Sequence, residues 1–231
     1  MVAIKWFIRF LNNRLRYEVP NKIETAEKLR KINRIKQNKK ISFIVVSDID
    51  NKKEEMLKEL KLLEHKDYSF IVSLGDIEIE ALKELVSFSK EHKKLLYSIR
   101  GNHDTYKFED IDDYIINIDE KIIDFKGFKF MGVEGTEYYN DYSTWKNDED
   151  LFYKNFKEEI DVLFSHTKAS SKSDKDKENG NRGLLGINKI LANCGVFTHI
   201  YGHFHDNGKK NNIQGTKSFC SYEVQLVTVR Y

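Results

Sequence analysis

Five places along this 231-residue chain hold side chains that bind metal or move protons, each directly behind an apolar run. "ISFIVVSDIDN" ends in Asp48 and Asp50, and "SFIVSLGD" in Gly75-Asp76. "LLYSIRGNHD" ends in Asn102, His103 and Asp104, "DVLFSH" in His166, and "FTHIYGHFH" in His203 and His205. Carboxylates, an amide and imidazoles without a thiolate form a donor set for Mn, Fe, Zn or related divalent ions, and not for a structural zinc–cysteine site. There are too many donors for one ion, so two are expected. A two-metal pair about 3.5–4 Å apart turns a shared water into hydroxide near neutral pH and clamps the oxygens of an in-line displacement at phosphorus. The chemistry so described is phosphoester hydrolysis.

A fold must bring those segments together. The apolar stretch 41–47 is followed by helical periodicity over 52–64, a strand at 69–74, a helix at 78–91 and a strand at 95–99. This β-α-β-α-β order predicts parallel strands joined by helical crossovers, with sites beyond the carboxyl ends of the strands. "KIIDF" and "FKFMGVEG", joined through Lys126-Gly127, read as a hairpin. A polar loop at 138–147 precedes a helix expected over 148–159, then a strand at 161–165, a helix at 184–193 and a strand at 196–201. The closing "EVQLVTVRY" alternates as a terminal antiparallel strand does. Residues 168–183, "KASSKSDKDKENGNRG", read as a solvated loop beside His166.

The order D-x-[D/H], GD, GNHD, H, GHxH resembles the calcineurin-like metallophosphoesterase superfamily and extends over residues 41–205. The resemblance implies an α/β fold, a four-layer α/β/β/α sandwich of mixed sheets flanked by helices, here with an N-terminal helical extension. It also implies roles. Asp48, Asp50 and His205 hold a first metal, Asn102, His166 and His203 a second, and Asp76 bridges the two. His103 faces the substrate and protonates the leaving alkoxide, with Asp104 orienting its imidazole. Glycines at 75, 101 and 202 are expected to let the backbone turn sharply among crowded ligands.

One position departs from the pattern. The superfamily usually has a histidine where this chain has Asp50. A carboxylate there makes the first site more anionic and harder, which favours Mn or Mg over Zn; Fe and Ni are also admissible. Asp50 or Asn51 could instead cap the helix beginning at 52.

Composition sets the remaining expectations. Two cysteines, Cys194 and Cys220, make no disulfide framework in a chain of this size, which points to the cytoplasm. No run approaches 18 uncharged apolar residues, which excludes a spanning helix. Residues 1–40 carry twelve Lys/Arg against three Glu, while the rest of the chain is acidic on balance. The first 40 residues therefore read as a basic helical extension to a phosphoesterase domain at 41–231. A helix over 2–16, with Ile4, Phe7, Ile8, Leu11 and Leu15 on one face, covers the protein's own surface or docks on a membrane surface or a protein partner. The expected substrate is a small phosphomonoester or phosphodiester. Two alternatives stand beside it: a nuclease or nucleotide phosphodiesterase with the basic arm on nucleic acid, and a catalytically weak interaction module.

Overall fold

The structure, a computed structural model, describes residues 40–137, 144–171, 182–207 and 210–230. The expected helix over 2–16 and the rest of the basic extension up to residue 39 lie outside the described residues, as do 138–143 and 172–181 of the two polar loops.

Strands β1 (Lys40–Ser47), β2 (Ile71–Ser73), β3 (Leu96–Ser98) and β4 (Ile115–Asn117) run parallel, with helices α1 (Lys53–Leu63) and α2 (Ile79–Glu91) in the first two connections. The hairpin β5 (Ile122–Phe125) and β6 (Phe128–Val133) opens a second sheet and turns at Lys126-Gly127 as read. After α3 (Asp148–Tyr153) come β7 (Val162–Ser165), α4 (Leu185–Asn193), β8 (Thr198–Tyr201), β9 (Lys210–Ile213) and β10 (Thr216–Cys220). The last strand, β11 (Glu223–Arg230), returns to the first sheet antiparallel to β1. The sheets are ordered β11-β1-β2-β3-β4 and β5-β6-β7-β8-β10-β9.

Alternation along each strand divides the apolar side chains between two faces. Phe43 and Val45 of β1, Phe70 and Val72 at β2, Phe128 and Phe130 of β6, and Phe164 of β7 form one cluster between the sheets. Phe43 and Phe70 stack there at 5.0 Å, and Phe43 meets Phe164 edge-on at 5.4 Å. The opposite face of the first sheet, Ile44, Val46 and Ile71, packs under Met56 and Leu60 of α1 and Leu82 and Leu85 of α2. Met131 and Leu163 do the same under Leu151 of α3 and Ile187 and Ile190 of α4. The result is the expected order of layers, α/β/β/α.

Two expectations are corrected, and three strands are added to those read from sequence. The helix expected over 148–159 stops at Tyr153: Asn147 caps its start by accepting from the Glu149 and Asp150 amides, and the chain then extends so that Phe156 packs on the outer cluster. Strands β4, β9 and β10 carry no clear signal in the sequence, because β4 is three residues long and the fully buried positions of β10 are Thr216, Ser218 and Cys220, with Phe219 partly buried against the cluster between the sheets. Finally, α1 has no side-chain cap, so neither Asp50 nor Asn51 serves that purpose.

Candidate metal centre

The ends of β1, β2 and β3 from one sheet and of β7 and β8 from the other meet at one rim, and the chemistry-bearing residues lie in the loops just beyond. Four of them hold backbone angles that side-chain-bearing residues rarely adopt: Asp48 at φ 55°, Asp76 at 52°, His203 at 68° and His205 at 45°. Such strain costs of order 1–3 kcal/mol per residue and persists where surrounding structure over-determines it.

Asp76, His166 and His203 place donor atoms within 4.8 Å of one another. Asn102 belongs with them, since its Oδ1 lies 2.8 Å from His166 Nε2, and Asp76 Oδ2 lies 3.3 Å from the same nitrogen. The other ring nitrogen, His166 Nδ1, donates to the Leu74 carbonyl at 2.9 Å. That bond fixes the ring so that Nε2 faces the cluster, as metal-binding histidines are commonly oriented. Burial opposes charge on His166, but the Asp76 carboxylate outweighs it and raises the imidazole to about 9. Burial likewise opposes ionisation of Asp76, yet His166 and the His103 amide hold its carboxyl down at about 2.

Beside this set lies a second. His205 Nε2 is 3.5 Å from Asp48 Oδ1 and 3.6 Å from Asp50 Oδ2. Asp48 is fully buried, whereas Asp50 and His205 are about half exposed. The two sets are linked directly, because the His203 amide donates to both Asp48 oxygens, at 3.0 and 3.1 Å, and Ser47 Oγ donates to Oδ2. The hydrogen bond between His205 and Asp48 raises the imidazole.

Both donor sets fit divalent cations: hard carboxylate and amide oxygens mixed with imidazoles, the set around His166 largely buried and the set around His205 open to solvent through Asp50 and His205. Asp48, Asp50 and His205 lie together, and Asp76, Asn102, His166 and His203 lie together. Asp76 lies firmly within the set that holds His166, and its bridging role is taken up below.

His103 is exposed at the rim, and its amide donates to Asp76 Oδ1 at 2.8 Å. The role expected for Asp104 is corrected. Its buried carboxylate accepts from three backbone amides, Gly101 at 2.7 Å, Asp76 at 2.8 Å and Ile77 at 3.1 Å, and makes no hydrogen bond to the His103 ring. Asp104 therefore ties the GD loop to the GNHD loop. Burial, with Asp76 nearby, pushes its carboxyl up to about 6.

Only one of the three expected glycine turns needs glycine's conformational freedom. Gly75 has φ 94°; Gly101 and Gly202 are required for space. A Cβ on Gly101 would stand 2.6 Å from the Asp76 carboxyl carbon, and one on Gly202 2.7 Å from Asp48 Oδ2.

Sequence reasoning missed several supporting groups. The Leu74 carbonyl carries no side-chain signal. Thr144 donates its amide to the Asn102 carbonyl at 2.8 Å and its hydroxyl to the Asp104 carbonyl, from a loop with no readable pattern. Tyr222 stacks on His205 with ring centroids 4.6 Å apart and planes 18° from parallel.

The fold and this rim define an α/β/β/α sandwich with side chains of metal-ligand type gathered at one edge. Residues 41–207 match the family model of the calcineurin-like phosphoesterases, and the chain belongs to that family. Membership places it among the metal-dependent phosphoester hydrolases. The protein TT1561 of Thermus thermophilus has a similar fold at TM-score 0.57 and 11% identity, over 83% of this chain and 99% of that one. A second solved crystal structure aligns at TM-score 0.60 and 13% identity, over the same shares. No curated protein matches the sequence significantly. Among the described residues no helix is long and apolar enough to cross a membrane.

Proposed function

We propose that the chain hydrolyses a small phosphomonoester or phosphodiester at a dinuclear divalent centre. Asp48, Asp50 and His205 would hold one ion, Asn102, His166 and His203 the other, with Asp76 between them. The observation that carries this reading is the linked pair of donor sets, one around His205 Nε2 and one around His166 Nε2, joined through the His203 amide and Asp48. Two bound ions would supply the positive charge that activates a water and neutralises the phosphoryl oxygens.

The protein's own groups do the rest. His166 delivers Nε2 only because Leu74 occupies Nδ1. Asp104 holds the Asp76 and Gly101 backbones in register, and the amide of His103 fixes one Asp76 oxygen. In this reading His103, which is exposed, would meet a substrate entering from solvent and stabilise or protonate the departing alkoxide. The anionic first site, with Asp48 and Asp50 on one imidazole, favours manganese over zinc. A cytoplasmic setting belongs to the same proposal, supported by the sparse cysteines.

The test is a panel of p-nitrophenyl phosphate and bis-p-nitrophenyl phosphate with Mn, Mg, Fe, Zn and Ni. Hydrolysis should appear with manganese, and His103→Ala should abolish it while metal stays bound. No turnover of either ester with any of the five ions would overturn the proposal.

A further inference from the structure

The two halves of the centre hold their histidines by different means. His166 is anchored by a hydrogen bond from Nδ1 to a backbone carbonyl. For His205, among the described residues, no group accepts from Nδ1, although Nε2 points at Asp48 and Asp50. Its ring is held instead by the stack on Tyr222. Tyr222 is in turn restrained at both its ring end and its backbone. Lys52 Nζ donates to its hydroxyl and also to Glu223 Oε1, the latter at 2.6 Å, and the Tyr222 amide donates to Asn207 Oδ1 at 2.8 Å. Lys52 follows Asp50 in the loop after β1, and Asn207 follows His205 in the loop after β8. Tyr222 lies in the connection from β10 to β11. Three loops that meet at the first donor set are thereby tied to one aromatic ring.

We infer that Tyr222, clamped by Lys52, is the positioning residue for His205, and so sets the affinity of the first metal site without touching the ion. This rests on the reading of His205 as a ligand given above. An imidazole with an unanchored second nitrogen rotates about its terminal torsion, which is broad and roughly two-fold. An aromatic partner in an offset stack restricts that rotation, and outer groups that orient a metal-binding histidine typically change affinity by about 10–100-fold. The site that depends on a stack and a part-buried lysine is the more adjustable of the two, whereas the buried carbonyl anchor of His166 is part of the β2 backbone's exit.

The experiment is calorimetric titration of metal-free full-length protein with MnCl2, alongside Tyr222→Leu, Tyr222→Phe, His205→Ala and the Tyr222→Leu/His205→Ala double variant. Circular dichroism and thermal melts confirm that each variant is folded. The wild type should take two equivalents. Tyr222→Leu should weaken one of them about tenfold and leave the other in place, while Tyr222→Phe, which keeps the ring, should bind both nearly as the wild type does. His205→Ala should lose the same equivalent, and adding Tyr222→Leu to it should change nothing further, since coupled residues are not additive. Equal binding of both ions by Tyr222→Leu, or a further loss on adding it to His205→Ala, would overturn the inference. Fewer than two equivalents in the wild type would instead show that the underlying dinuclear reading has failed. Lys52→Met offers a variant away from the ring; it should weaken the same ion by less than Tyr222→Leu does, and no effect on that ion would count against the clamp.

Discussion

Replacing Asp104 by alanine tests whether this carboxylate belongs to the scaffold or to the chemistry. It is buried and accepts from the backbone amides of Gly101, Asp76 and Ile77, at 2.7, 2.8 and 3.1 Å. A buried donor left without a partner costs about 1–3 kcal/mol. Three such losses are partly offset, because burial already disfavours the charged carboxylate and pushes its carboxyl up to about 6. Asp104→Ala should therefore destabilise the fold by roughly 3–5 kcal/mol, a large share of the ~5–15 kcal/mol that holds a typical domain together. Asp104→Asn can keep its oxygen on the Gly101 and Asp76 amides and loses only the Ile77 bond, so about 1–2 kcal/mol is expected. Urea unfolding of the metal-free variants, with the slope unchanged, reads these values directly. Two results would refute the reasoning: an alanine variant within about 1 kcal/mol of wild type, or an asparagine variant of wild-type stability that has lost turnover. The second would restore Asp104 as the orienting partner of His103.

Three further outcomes are expected. Gly101→Ala forces a methyl against the Asp76 carboxyl and should cost about 1–3 kcal/mol and weaken manganese binding, by the same unfolding and titration measurements; an unchanged affinity would contradict the close packing there. His199 is fully buried between the hydroxyls of Ser165 and Ser218, and burial pushes it down to about 3. Because its folded value lies below the unfolded ~6.5, the unfolded chain takes the proton first, and this contribution is lost as pH falls from about 6.5 towards 3. Asp104, raised to about 6, has the opposite slope over pH 4–6, so the difference between wild type and His199→Gln is the readout, about 1.4 kcal/mol per pH unit. Equal pH slopes for the two proteins would exclude a neutral His199. Finally, His166 is raised to about 9 and carries a proton at pH 7.5, which metal must displace. Calorimetry in buffers of different ionisation enthalpy should detect at least one proton released; zero release would contradict a protonated His166.

The parallel half of the first sheet was legible because its strands are apolar on both faces and are separated by helical periods. The turn at Lys126-Gly127 gave the hairpin pairing, and the alternation of the last run marked β11 as an antiparallel strand without giving β1 as its partner. Strand β10 was not legible, because its fully buried residues are Thr216, Ser218 and Cys220, with a lone partly buried Phe219 against the cluster between the sheets, and Ser218 meets His199. At the site, the seven donors were legible because chemistry restricts their types, and the structure brings them into two neighbouring groups, with Asp76 beside His166. What supports them was not. A carbonyl such as that of Leu74 leaves no trace in side-chain type, and Tyr222 sits far along the sequence from the histidine it holds. Asp104 shows the opposite failure: its place in GNHD suggested chemistry, while its burial and three amide partners make it a brace between loops.

The most direct measurement is anomalous diffraction at the manganese edge from crystals of the full-length protein grown with MnCl2. The expected map has two peaks about 3.5–4 Å apart, one against Asp48, Asp50 and His205, the other against Asn102, His166 and His203, with Asp76 between them. A single peak, or two peaks away from these residues, would contradict the dinuclear centre.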